Sequence, residues 1–109
     1  MKAKNYRVQT NDSISYSLEI KDKNAELGIY FWHGKPEHII FDYTNREFNN
    51  YSGYRRNKFK NADKSELKNH FINGLNYFSN HINNINPPIN QTEKKELREI
   101  IETLLKSIK

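Results

Sequence analysis

Residues 25–43 read AELGIYFWHGKPEHIIFDY, with two apolar and aromatic runs on either side of a Gly-Lys-Pro turn. Glycine and proline favour a chain reversal, so the pattern predicts a hairpin of two antiparallel strands, at about 25–33 and 37–44. Alternate residues of a strand point to opposite faces of its sheet. One face would carry Ala25, Leu27, Ile29, Phe31, Ile39, Phe41 and Tyr43, and the other Tyr30, Trp32, His38 and Ile40. Both faces are apolar, so each needs a covering element or a partner.

Two shorter strands precede the hairpin, at about 5–10 and 13–21. The second alternates cleanly, with polar residues such as Ser17 and Glu19 on one side and aliphatic residues on the other. Short polar turn segments join these runs, which predicts an antiparallel meander of four strands. Because neighbouring strands pair directly, the polar side of 13–21 continues onto the face of Tyr30 and Trp32. That face is polar at its flank and aromatic at its centre; either a loop or helix edge covers it, or it meets a partner.

Residues 44–61, TNREFNNYSGYRRNKFKN, interleave aromatic and basic side chains but break the strand pattern. They fit either a fifth short strand plus a loop or a loop alone. Three interpretations stay open for them: a loop held to the body by its rings, a protein-binding loop, or a loop whose rings stack on bases while its cations follow phosphates.

Two amphipathic helices are predicted at about 63–84 and 91–108, because Asp63 and Asn90 are each followed by a glutamate three residues later, the spacing of a helix cap. In the first, apolar residues from Leu67 to Ile85 recur every three or four positions, and Gly74 indicates that another backbone comes close. Two prolines stop it before the second helix begins. The sequence therefore predicts an α+β fold in a single domain, residues 1–109: four or five antiparallel strands followed by a C-terminal αα-hairpin on one face of the sheet.

The composition favours a basic protein of the cytoplasm. The formal net charge is +5, and residues 46–60 hold five basic residues against the single acidic Glu47. The chain has no cysteine, which excludes disulfides and thiolate metal sites. Neither a signal-peptide pattern nor a membrane-spanning stretch occurs in the sequence, so we expect no membrane partner.

Sequence motifs for catalysis, phosphate loops or metal binding do not occur, so the sequence predicts no catalytic residue, no metal ligand and no cofactor. A metal-independent ribonuclease using His33, His38, Arg55 and Arg56 is a less favoured alternative, because histidines at a hairpin tip are usually solvated.

The favoured hypothesis is a non-enzymatic protein that captures and neutralises a protein target, which would be acidic at its docking surface. In size, cysteine content and fold class the chain resembles immunity proteins, antitoxins and phage-encoded inhibitors, a likeness of type that assigns no residue a role. The alternatives are a single-stranded nucleic-acid-binding domain and a homodimer that buries Trp32. The candidate partner-binding residues are Tyr30, Trp32, His38, Ile40, Tyr51, Tyr54, Arg55, Arg56, Lys58 and Lys60.

Overall fold

The computed structural model of this chain describes residues 4–9, 14–30, 37–51 and 63–108. Its strands are β1 (Lys4–Gln9), β2 (Ser15–Ile20), β3 (Asn24–Tyr30), β4 (Glu37–Asp42) and β5 (Glu47–Tyr51). They are followed by the helices α1 (Lys64–Asn80) and α2 (Gln91–Ile108), with a short 3₁₀ turn at Ile82–Asn84 between them. The spatial order of the strands equals their order in the chain, and every neighbouring pair is antiparallel.

The predicted meander followed by two packed helices is therefore confirmed. The fifth strand, which the sequence left undecided, exists at Glu47–Tyr51. Of the ambiguous segment 44–61, residues 52–61 lie outside the described residues.

The register of the sheet gives it one apolar face that forms the core. Leu27 of β3 lies opposite Leu18 of β2 and Ile39 of β4, and all three are fully buried. The other buried apolar residues of this core face are Tyr6, Val8, Ile20, Ala25, Ile29, Phe41 and Phe48. Removing this much apolar surface from water is the main contribution to folding.

Helix α1 lies against the core face through aromatic contacts and one close approach. The ring of Phe71 lies 6.1 Å from the ring of Phe41 and 5.5 Å from that of Phe48, measured between centroids. At Gly74, an added Cβ atom would lie 2.5 Å from a methyl group of Leu27. The close neighbour at Gly74 is therefore a side chain of the sheet rather than the backbone that the sequence suggested.

Helix α1 ends at Asn80, four residues before its predicted end. His81 has left the helical conformation, with φ −122° and ψ 34°. Ile85, which the helical pattern placed on α1, instead forms an antiparallel bridge with Val8, and the N–H of Asn86 donates to the carbonyl of Arg7 at 2.9 Å. The end of the apolar stripe therefore closes the outer edge of β1, where backbone groups would otherwise lack partners.

Both helices begin at the capping residues that the sequence indicated. Asp63 Oδ1 accepts a hydrogen bond from the N–H of Glu66 at 2.8 Å. At α2, Asn90 Oδ1 accepts from the N–H of Glu93 at 2.8 Å, and Glu93 Oε1 accepts from the N–H of Asn90 at 3.3 Å. This reciprocal pair is a capping box.

Replacing Asn90 with alanine should lower the free energy of unfolding by about 1 kcal/mol, because the N–H of Glu93 loses its side-chain acceptor. Urea denaturation followed by circular dichroism measures the loss. The control is Asn76→Ala, at an exposed position of α1, where alanine's higher helix propensity predicts no loss. Equal losses in the two variants would contradict the capping role.

Candidate functional site

The face of the sheet opposite the helices is the candidate functional site, and we call it the open face. By the register of the strands, its residues include Arg7, Ser17, Glu19, Glu26, Gly28, Tyr30, His38, Ile40, Asp42, Glu47 and Asn49. In the described part of the chain both helices pack on the other side, and Tyr30, His38 and Ile40 each keep part of their surface exposed. Part of each of these three side chains is therefore accessible on β3 and β4.

Tyr30 is the last residue of β3, and its ring lies back over the open face because Gly28 leaves room for it. An added Cβ atom at Gly28 would lie 2.9 Å from Tyr30 Cε2 and would also overlap Ser17 Oγ. Ser17 Oγ donates a long hydrogen bond of 3.4 Å to the hydroxyl of Tyr30. A glycine inside a strand often marks such a close approach. The missing side chain of Gly28 therefore fixes where the tyrosine ring lies.

Arg7 places its charge on the ring of Tyr30. The guanidinium carbon lies 5.0 Å from the ring centroid, a distance at which a cation is attracted to the π-face. Arg7 is exposed, and it forms no ion pair with any residue of the described ranges. This cation is therefore positioned by the ring and can still pair with an anion.

The imidazole of His38 also lies beside the ring of Tyr30. Its imidazole is perpendicular to the ring of Tyr30, with 6.0 Å between centroids. Its Nδ1 atom lies 3.1 Å from Glu26 Oε2, a distance that suits an ion pair when the imidazole is protonated. The side chains of His38 and Glu26 are only 17% and 19% exposed. Arg7, Tyr30, His38 and Glu26 thus form one continuous cluster, which we call the Tyr30 cluster.

The half of the open face that begins at Glu26 is acidic, so Glu26 belongs both to this half and to the Tyr30 cluster. Glu19 lies directly across from Glu26 in the β2–β3 pair, and Asp42 lies directly across from Glu47 in the β4–β5 pair. Like charges in opposed positions destabilise a sheet. Lys21 offsets one of these charges, with its Nζ atom 3.3 Å from Glu19 Oε1. We call Glu19, Glu26, Asp42 and Glu47 the acidic half.

Asp42 also has a structural role at the edge of the acidic half. Its Oδ1 atom accepts hydrogen bonds from the N–H groups of Thr44 and Asn45, at 2.8 Å and 3.1 Å. The bond from the backbone of Asn45 is the main reason why the pKa of Asp42 is lowered from its ordinary value. Asp42 is therefore held in its charged form by the β4–β5 turn.

The structure brings together only part of the predicted site. Tyr30, His38 and Ile40 share the open face, and Tyr51 ends β5 at the register position opposite His38. The other predicted residues, Trp32, Tyr54, Arg55, Arg56, Lys58 and Lys60, lie outside the described residues, as does His33.

Sequence reasoning missed Arg7 and Glu26 as members of the site, and it placed Ser17 on this face without naming it as a site residue. Two signals were present in the sequence. Arg7 lies between Tyr6 and Val8, which places it on the face opposite these apolar residues, and Gly28 interrupts a strong strand. Their proximity to Tyr30 depended on the pairing of three strands, which became clear only with the register.

A second concave surface lies on the helix side of the sheet. A hollow of about 440 Å³ opens between α2 and the end of the sheet, where Tyr43, Ile100 and Leu104 provide apolar walls. At its mouth Lys4 Nζ donates to Glu96 Oε2 at 3.0 Å, and this bond is the main cause that raises the pKa of Lys4. Lys4 and Glu96 already pair with each other. The open face is therefore the stronger candidate for the functional site.

No protein-family model, curated protein or solved structure matches this chain. We therefore infer function from the chemistry of the open face. Among the described residues, no group of three or more histidine, cysteine or acidic side chains is placed to hold a metal ion. The described helices are also too short or too polar to cross a membrane.

Replacing Gly28 with alanine should displace the ring of Tyr30 and lower the free energy of unfolding by about 1–3 kcal/mol, the usual range for overpacking. The ring of Tyr30 lies edge-on to the imidazole of His38, so its displacement in Gly28→Ala should change the chemical shifts of the imidazole protons relative to the wild type. NMR therefore reports the displacement, with Tyr30→Ala as the reference for complete loss of the ring. Unchanged His38 resonances in Gly28→Ala would contradict the role of Gly28.

Proposed function

We propose that this protein is a small non-enzymatic binding protein, which captures and neutralises a protein partner through its open face as inhibitors, immunity proteins and antitoxins do. The observation that carries the proposal is the Tyr30 cluster, which is partly exposed on a face that no described helix covers. Tyrosine and arginine are among the residues that dominate the energetics of protein interfaces. Ile40 adds a partly exposed aliphatic group beside them.

The acidic half favours a protein over a nucleic acid as the partner. A polyanionic strand that crosses the open face would meet four carboxylates, whereas the described strands contribute a single basic residue to that face, Arg7. Lys21 pairs with Glu19 beyond the end of β2, and Lys64 of α1 reaches Asn49. A protein surface can present both signs of charge, so it can match both halves. The partner should be acidic where it meets Arg7, and also where it meets Arg55 and Arg56 if those residues take part in binding.

The proposed mode of action is neutralisation by binding. Neutralisation by binding needs no cofactor and no reacting group, and we expect it to take place in the cytoplasm. The aromatic ring of Tyr30 and the guanidinium of Arg7 would act as anchors that the partner buries. Truncation of such an anchor typically weakens binding by about 2 kcal/mol or more, or at least about 30-fold in affinity.

Site-specific photo-crosslinking tests the proposal. A photoreactive phenylalanine derivative is placed at Ile40, or for comparison at Asn73, which is exposed on α1 at the opposite side of the molecule. We expect a discrete protein adduct from position 40 in lysate of the source cells, and none from position 73. The adduct should disappear when Tyr30→Ala or Arg7→Glu is added to the position-40 protein.

Four outcomes would contradict the proposal. Adducts that form equally from both positions, or that persist with Tyr30→Ala, would show that the open face does not select a partner. Saturable binding of a single-stranded oligonucleotide, followed by fluorescence of the single tryptophan, would favour the nucleic-acid alternative if it weakens with salt. An adduct between two copies of the chain, together with a dimer mass by light scattering, would favour the homodimer.

A further inference from the structure

We infer that the partner presents one acidic and one basic side chain about 7 Å apart, which dock on Arg7 and on the Glu19–Glu26 pair, respectively. This inference rests on the proposed function and specifies the chemistry of the partner. Two separate features of the open face support it: a cation without an ion-pair partner in the described chain, and a pair of opposed carboxylates beside an aliphatic side chain.

Arg7 is the residue on which the acidic side chain of the partner docks. Its guanidinium lies against the ring of Tyr30, so its position is already restricted before the partner arrives. A carboxylate can accept two parallel hydrogen bonds from a guanidinium, the strongest geometry available to such a pair. Arg7 is exposed and forms no ion pair with a described residue, so no such pair has to break when the carboxylate binds.

The acceptor for the basic side chain is the pair Glu19 and Glu26. Their opposed positions bring two negative charges together, with the ammonium group of Lys21 beside Glu19 and the imidazole of His38 beside Glu26. A further cation between the two carboxylates would relieve the repulsion between them. Ile40 lies directly opposite Glu26 on β4 and is partly exposed, which provides an apolar surface for the methylene stem of a lysine or arginine.

The spacing of the two sites follows from strand geometry. The ring of Tyr30 lies over Gly28, and Gly28 and Glu26 are two residues apart on β3. Two residues of a strand span about 7 Å. Side chains at this separation occur at alternate positions of an extended segment, or about one turn apart on a helix. The order of the two charges also fixes the direction in which such a segment crosses the sheet.

A peptide selection with the full chain tests the inference. A phage library of random 12-residue peptides is selected on the wild-type protein, and clones that also bind Tyr30→Ala are removed. We expect the remaining peptides to contain an acidic and a basic residue at a constant short spacing. Fluorescence polarisation of a synthetic peptide from this set then measures affinity for single-residue variants of the protein.

Charge exchange provides the decisive comparison. Arg7→Glu should weaken the peptide at least about tenfold, and a peptide whose acidic residue is changed to lysine should bind Arg7→Glu better than it binds the wild type. Glu19→Gln with Glu26→Gln should weaken the peptide and remove its preference for a basic residue. The matched control is Lys95→Glu, an exposed position on α2, which makes the same change in net charge and should leave affinity within about twofold.

Two outcomes separate the inference from the proposed function. Peptides that depend on Tyr30 but tolerate loss of either charge would overturn the inference and leave the open face as a docking surface. A library that yields no Tyr30-dependent peptide would count against both. Each variant is checked by its circular dichroism melting curve, so that lost binding is not attributed to an unfolded protein.

Discussion

Replacing Phe71 with alanine should lower the free energy of unfolding by about 3–5 kcal/mol, the range for removing a buried aromatic ring. Phe71 is fully buried, and its ring contacts those of Phe41 and Phe48. These three rings join α1 to the β4–β5 end of the sheet. Loss of the Phe71 ring leaves a cavity between α1 and the sheet. Neither the helix nor a strand can fill this cavity without giving up its other contacts.

Urea denaturation at constant pH measures this effect, since the midpoint falls while the denaturant slope stays the same for a two-state protein. Phe71→Leu is the matched variant that keeps most of the apolar volume, and we expect it to lose less than half as much. Asn73→Ala, on the exposed side of the same helix, controls for a general effect on α1. A loss below about 1 kcal/mol in Phe71→Ala would show that the three rings do not hold the layers together.

Replacing Gly74 with leucine should lower the free energy of unfolding by about 3 kcal/mol, at the upper end of the range for overpacking. The first added carbon would already lie 2.5 Å and 2.7 Å from the two methyl groups of Leu27, which is fully buried. Leucine has the higher helix propensity, by somewhat less than 1 kcal/mol, so propensity alone predicts a more stable protein. The sign of the change therefore shows which effect dominates.

A double-mutant cycle with Leu27→Ala tests the contact directly. The single variant Leu27→Ala should lose about 2–5 kcal/mol because it opens a cavity below Gly74. In that background the substitution Gly74→Leu should be much less harmful, since the new side chain fills the vacated space. Additive losses from the two substitutions would contradict a direct contact between these positions.

The elements that local patterns specify could be predicted from the sequence. The alternation of Ala25, Leu27 and Ile29 fixed both the strand and the face that it buries, and the meander followed from the short turns. Asp63 and Asn90 marked the starts of the helices because a capping side chain acts within three residues of its own position. These features depend on neighbours in the chain, so one sequence is sufficient to find them.

Features that depend on distant parts of the chain were not predictable in the same way. Ile85 continues the apolar spacing of α1, and only its bridge with Val8 shows that the segment leaves the helix to close the sheet edge. At the candidate site, Tyr30 and His38 were predicted to share a face, and the register confirms it. The contacts of His38 with Glu26 and of Arg7 with the ring of Tyr30 could not be predicted, because they depend on side-chain positions on three strands.

The contact between Asn86 and Arg7 links the interhelical linker to the proposed interface. The main chain of Arg7 is held by the linker, while its side chain rests on the opposite surface of the sheet against an aromatic ring. The outer edge of β1 is therefore held by the segment between the helices. We expect a substitution at Ile85 that weakens this attachment to shift Arg7 and alter affinity, without removing any atom that the partner touches.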